Sequence, residues 1–220
     1  MNNFMKYGLF FIIISVVVAG CSGASTEEKA YESLEESVKI ERAFASEQQS
    51  LIDLEQKEQD IYEQMIELAK DEDEQWNEYI DEAMGVQEER THIIELEKEM
   101  MEDSKEAFDE SHEWIEKIDD DETKKIGLEL TEVMDERFAT YDELYELYVE
   151  TLANEQALYE LYKSETIDEE AIKQKVDDIN TSYEELMSVN ERFNHETEAY
   201  NSMKKTFYEA LDLDITFEED

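Results

Sequence analysis

The chain has 220 residues, 63 of them Asp or Glu against 19 Lys or Arg, for a formal net charge of −44. Such a surface repels polyanions, which excludes nucleic acid as a partner. One cysteine excludes an internal disulfide framework, and a chain with no proline and only five glycines is composed for long, uninterrupted helices.

The first 21 residues form an export signal. Lys6 supplies the positive start, and Leu9 to Val18 form an apolar run interrupted only by Ser15. That run is short for a permanent membrane helix and reads as a secretory signal. It closes on Val18-Ala19-Gly20-Cys21, a branched apolar residue, a small one, glycine and cysteine, which is the form of a bacterial lipobox. The lipobox predicts removal of residues 1–20, thioether attachment of diacylglycerol to Cys21, and acylation of the new amino terminus. Loss of Lys6 takes the charge of the remainder to −45. Two or more acyl chains anchor stably where one is marginal. The expected location is the outer face of the bacterial cytoplasmic membrane, with residues 21–25 as a lipidated terminus and short tether.

High charge by itself suggests disorder, but 40% hydrophobic and 10% aromatic residues are more apolar mass than a solvated tail carries. The apolar pattern has a helical period throughout. It predicts helices near 26–70, 73–118, 122–163 and 167–211, followed by an acidic tail over 212–220 that is expected to fray. Ile40, Phe44, Leu51, Leu54, Ile61, Met65 and Leu68 make the first stripe, with Glu47 and Glu58 breaking it. Ile80, Met84, Ile94, Met101, Phe108, Ile115 and Ile118 make a less regular second stripe, and Gly85 is expected to break that helix early. Ile126, Leu130, Val133, Tyr141, Leu144, Tyr148, Leu158 and Tyr162 make the third. In the last helix Ile172, Ile179, Leu186, Phe193, Tyr200 and Phe207 recur every seven residues. Val176, Tyr183, Asn190, Thr197, Lys204 and Leu211 form a partly polar second track. Ser25-x-x-Glu28 and Thr166-x-x-Glu169 have capping-box form. The acidic runs 71–74 and 119–122 place negative charge where a following helix dipole is positive. The expected fold is all-α: an elongated antiparallel bundle of about four long helices with coiled-coil-like packing, one helical domain over 26–211.

Two readings of the acidity stand: a surface adapted to salt, which screens the repulsion, or capture of divalent cations or a cationic partner. No EF-hand loop is present. Glu89 precedes His92 by three residues and Asp109 precedes His112 likewise, but acids are so abundant that such pairs arise by chance, and no metal or cofactor is expected. No H-E-x-x-H, G-x-S-x-G or phosphate-cradling glycine loop occurs, so an enzyme is not expected. Eight of the twelve tyrosines fall in the C-terminal half, where their rings suit helix interfaces or the faces of sugars. Asn190, Asn194, Thr197 and Asn201 follow one another at steps of four and three, as register-setting polar residues or as the lining of a groove. Asn190, Asn194, Asn201 and Tyr208 are the candidate binding surface.

Three stretches carry a family resemblance: EERTHIIELEKEMMEDSKEAF from Glu88, ERFATYDELYELYVETLANEQALYELYK from Glu136, and NERFNHETEAYNSMKKTFYEAL from Asn190. With the lipobox ahead of them they resemble the YkyA-type cell-wall-binding lipoproteins of Firmicutes over nearly the whole chain. The most specific part is N-x-x-F-N-x-x-T-x-x-Y-N with a following K-x-F-Y, here Asn190, Phe193, Asn194, Thr197, Tyr200, Asn201, Lys205, Phe207 and Tyr208. The resemblance implies lipidation at Cys21, export, an all-α body and, as partners, a wall polymer or another envelope protein. Teichoic-type polymers are anionic too, so attachment to them calls for bridging divalent ions. The expected function is a non-enzymatic surface lipoprotein that binds the wall; the alternative is an extracytoplasmic chaperone-like or scaffold protein holding another envelope protein.

Overall fold

A computed structural model of the chain describes residues 14–16, 24–68, 73–164, 168–213 and 215–217. Cys21 and Thr166 lie outside the described residues. Four helices of 42 or 43 residues make an all-α bundle: α1 (Thr26–Glu67), α2 (Asp73–Ile115), α3 (Asp121–Lys163) and α4 (Glu169–Ala210). A short antiparallel ribbon pairs β1 (Ile14–Val16) with β2 (Ile215–Phe217); β1 belongs to the segment that the lipobox predicts to be removed, so the ribbon is a feature of the unprocessed chain.

The helix starts are set by side chains that satisfy free backbone N–H groups. Ser25 and Glu28 form the reciprocal capping box: the Ser25 amide donates to Glu28 at 2.6 Å and the Glu28 amide to Ser25 Oγ at 3.1 Å. Asp120 caps α3, accepting from the Thr123 amide at 2.8 Å, and that bond holds its carboxyl below the usual range. At α4 the cap is Asp168, which accepts from the Ala171 and Glu170 amides at 3.1 and 3.2 Å. Asp212 then takes a left-handed backbone conformation, φ 54°, which ends α4; Asp tolerates that region better than most residues.

Gly85 does not break α2, contrary to expectation. A lone helical glycine costs only about 1 kcal/mol, and Ala83 and Val86 on either side are fully buried and hold the helix through it.

The chain divides into two compact units, and every helix gives a segment to each. Unit 1 holds residues up to 45, 99–141 and 191 onward; unit 2 holds 46–98 and 142–190. Within each unit, helices consecutive in sequence run antiparallel, because partner numbers fall on one as they rise on the other. Asp81 with Lys163, Arg90 with Tyr148 and Lys98 with Asp142 show this for α2 and α3.

Unit 1 is filled by aromatic side chains. Phe108 meets Phe138 and Tyr200 edge-on at centroid distances of 5.8 and 6.4 Å, and Tyr141 meets Phe193 at 5.9 Å. Unit 2 has two apolar clusters, one around Ile61, Met65, Ile80 and Tyr159, the other around Leu51, Ile94, Leu152 and Leu186. Phe193 and Phe207 are buried, as the seven-residue track requires.

The two mid-helix glycines have opposite surroundings. A Cβ on Gly85 would meet nothing within 4 Å, whereas one on Gly127 would fall 2.7 Å from Ile115 Cγ2 and 2.8 Å from Phe207 Cε2. Gly85→Ala should therefore stabilise the protein by about 0.5–1 kcal/mol. Gly127→Ala should destabilise it by about 1–3 kcal/mol through overpacking. Chemical melts of the two variants should shift in opposite directions.

Candidate functional site

In unit 1, Arg137 of α3 is 1% exposed. It forms a two-pronged pair with Glu41 of α1, Nη1 to Oε1 at 2.9 Å and Nη2 to Oε2 at 2.7 Å. Its Nε donates to Thr197 Oγ1 of α4 at 2.8 Å, and its guanidinium lies 4.6 Å from the Phe193 ring centroid. Ser104 of α2 donates to the same Glu41 at 2.8 Å and exchanges a bond with Ser37. All four helices thus contribute to one buried charge pair. Planar, two-pronged geometry is what a guanidinium offers a carboxylate.

The polar track of α4 serves these charges. Thr197 is an acceptor for Arg137. Lys204, 1% exposed, lies 3.5 Å from Glu35 of α1, and burial lowers its pKa. Tyr208 was expected on a binding surface and is instead in the core, 1% exposed, its hydroxyl donating to Glu35 at 2.8 Å. Asn190, Asn194 and Asn201 are half-buried on the flank of α4.

Unit 2 has its own buried arginine. Arg90 of α2 is 1% exposed and its Nη1 donates to Glu58 of α1 and, at 2.9 Å, to Glu155 of α3. Its Nε donates to the Tyr148 hydroxyl at 3.0 Å, which in turn donates to Glu55 at 2.8 Å. Gln87 donates to Glu58 at 3.0 Å, and Tyr183 of α4 donates to Glu155. Glu58, which interrupts the apolar stripe of α1, is the partner of a cation 32 residues away.

Two further features lie on the surface. Asp109 and His112 of α2 and Asp135 of α3 bring ligand-type atoms within 4.8 Å of one another. Lys105 already reaches both aspartates, at 3.4 and 3.6 Å, so the cluster holds a cation of its own. His92 and His195 are exposed. The second feature is an open groove of about 780 Å³ along α1 and α2 of unit 1, lined among others by Lys29, Tyr31, Glu36, Arg42, Glu110 and Trp114. The Lys29 and Lys117 ammonium groups lie 4.2 and 4.4 Å from the Trp114 ring centroid, a cation–π geometry. Tyr31 meets Tyr208 in a tilted ring pair at 4.8 Å, and the Tyr208 hydroxyl holds Glu35, so the end of the α4 motif supports two residues that line this groove. Sequence reasoning passed over the groove. The available signal was three cations, Lys29, Lys39 and Arg42, close together in a chain that has few.

If the α4 motif serves the buried charges, Thr197→Val should cost about 1–3 kcal/mol, since it leaves the buried Arg137 short of an acceptor, and Tyr208→Phe should cost less, because Glu35 is partly exposed and keeps Lys204. The measurement is urea unfolding.

The family model described as "Putative cell-wall binding lipoprotein" matches residues 25–210. The chain is 26% identical over 200 residues to "Uncharacterized lipoprotein YkyA" of Bacillus subtilis (strain 168), covering 91% of this chain and 90% of that protein. A crystal structure of a conserved protein of unknown function from Staphylococcus aureus shares the fold, with a TM-score of 0.70 at 13% identity over 86% of this chain and 98% of that one. Among the described residues no helix is long and apolar enough to cross a membrane. The chain belongs to the YkyA family of lipoproteins.

Proposed function

We propose that the protein is a non-enzymatic module held by lipid at Cys21 on the outer face of the cytoplasmic membrane, and that it binds a wall polymer in the α1–α2 groove of unit 1. The observation that carries this is the chemistry of the groove. It presents cations (Lys29, Lys39, Arg42), carboxylates (Glu32, Glu36, Glu110) and the partly exposed ring of Trp114 together. Peptidoglycan offers the complement: peptide stems with both amine and carboxylate groups, and sugar rings that stack on aromatic faces. A mixed-sign groove also accounts for wall binding by a chain whose net charge of −44 opposes anionic polymers. The half-buried Asn194 and Asn201 of unit 1 are a second polar face of that unit.

Retention of the full chain on purified peptidoglycan tests the groove. The Arg42→Ala/Trp114→Ala variant should lose most of its retention while melting within a few degrees of wild type. The Asn194→Ala/Asn201→Ala variant separates the two faces, because it should leave groove-based retention intact. Retention unchanged in the groove variant would sink the proposal. A wild-type chain that is not retained but suppresses aggregation of an unfolded client would favour the chaperone-like reading. Lipidation is tested by metabolic labelling with a fatty-acid analogue: only a thiol forms the thioether, so Cys21→Ser should abolish the label.

A further inference from the structure

The two buried arginines are not balanced alike. In unit 1, Arg137 meets one carboxylate, Glu41, and its other bonds go to neutral groups, the Thr197 hydroxyl and the Met134 sulfur. In unit 2, Arg90 faces three carboxylates: Glu58 and Glu155 in direct contact, and Glu55 at 3.8 Å from Nη2. Glu58 and Glu155 are 6% and 8% exposed. The other polar groups of the cluster are neutral: Gln87 of α2 and Tyr159 of α3 bond Glu58, Tyr148 of α3 lies between Arg90 and Glu55, and Tyr183 of α4 bonds Glu155. Glu55 is partly exposed, but with Glu58 and Glu155 both ionised the single guanidinium would still leave one uncompensated negative charge among buried side chains, which burial strongly disfavours. The bonding is incomplete as well, because Arg90 Nη2 and Gln87 Oε1 are buried without a hydrogen-bond partner.

We propose that this cluster is a proton-operated catch: one proton held at Glu58 keeps the four segments of unit 2 closed, and its loss in alkaline medium loosens unit 2 while unit 1 stays closed. Burial first, and then the neighbouring Glu155, push the Glu58 carboxyl up to about 7, against the pull of Arg90. Burial raises Glu55 too. The folded unit therefore takes up this proton more readily than the open chain does. The stabilisation is complete below the ordinary carboxylate range near 4.5 and is lost as pH rises through about 7. Unit 1 lacks the excess. Its buried titratable cation, Lys204, has a lowered pKa and so shifts stability the opposite way with pH.

Hydrogen exchange on the full chain in detergent tests this, with protection factors corrected for the intrinsic effect of pH. Between pH 5.5 and 8.5, peptides from 73–98 and 142–163 should lose about tenfold or more in protection. Peptides from 99–115 and 121–141, on the same two helices, should not. Glu58→Gln keeps the shape and cannot ionise, and should make unit 2 insensitive to pH over this range. Protection in unit 2 that does not change between the two pH values would overturn the proposal on the wild-type protein alone. So would an equal loss in both units, or a Glu58→Gln protein that keeps the wild-type pH dependence.

Discussion

The demand of a buried guanidinium for acceptors constrains this fold more than any other single interaction. The chain has four arginines, and two of them, Arg90 and Arg137, are 1% exposed. A guanidinium has five N–H groups in a fixed fork and does not give up its charge inside a protein. Each buried arginine therefore fixes the positions of the helices that supply its acceptors. For Arg137 these are Glu41 of α1 and Thr197 of α4; for Arg90 they are Glu58 of α1, and Tyr148 and Glu155 of α3. Leucine-rich stripes tolerate slippage by a turn, and a two-pronged ion pair does not. Replacing such a pair by apolar groups often preserves stability, so its value here lies in register, and removing one partner is what costs most.

The same constraint explains why so acidic a chain closes at all. Most of its carboxylates are on the surface, where salt screens them. Those in the unit 1 seam are matched individually, Glu35 with Lys204 and Tyr208 and Glu41 with Arg137, whereas in unit 2 Arg90 is shared among Glu55, Glu58 and Glu155. The conspicuous family motif of α4 belongs to this system. Phe193 lies against the guanidinium of Arg137, Thr197 accepts from it, and Tyr208 closes on Glu35 behind the groove. A motif that reads as a surface signature is largely a core signature, and it reaches the outside by supporting Tyr31 and Glu35 on α1.

The helices were legible because their determinants are local. Capping residues, the absence of proline and seven-residue recurrence placed all four within three residues of their observed ends, and the tyrosines went mainly to interfaces: Tyr141, Tyr148, Tyr159, Tyr200 and Tyr208 are buried. What was not legible depends on partners far along the chain. Glu41 and Arg137 are 96 residues apart, and nothing near Glu58 announces Arg90. Tyr208 was misplaced for a geometric reason. A two-position seam leaves it outside, but a helix packed among three neighbours buries a wider stripe, and Lys204, Phe207, Tyr208 and Leu211 are all covered. Asp168 caps α4 through the Glu170 and Ala171 amides; Thr166, the expected cap, lies outside the described residues.

The central claim is that the Glu41–Arg137 pair is a coupled unit that sets the packing of unit 1. A double-mutant cycle with Glu41→Leu and Arg137→Met measures that coupling directly. Each single change should cost about 3–5 kcal/mol, because it strands a buried charge, and the double variant should recover most of the loss. Single costs that simply add would contradict the account, since the two residues would then be stabilised by surroundings other than each other.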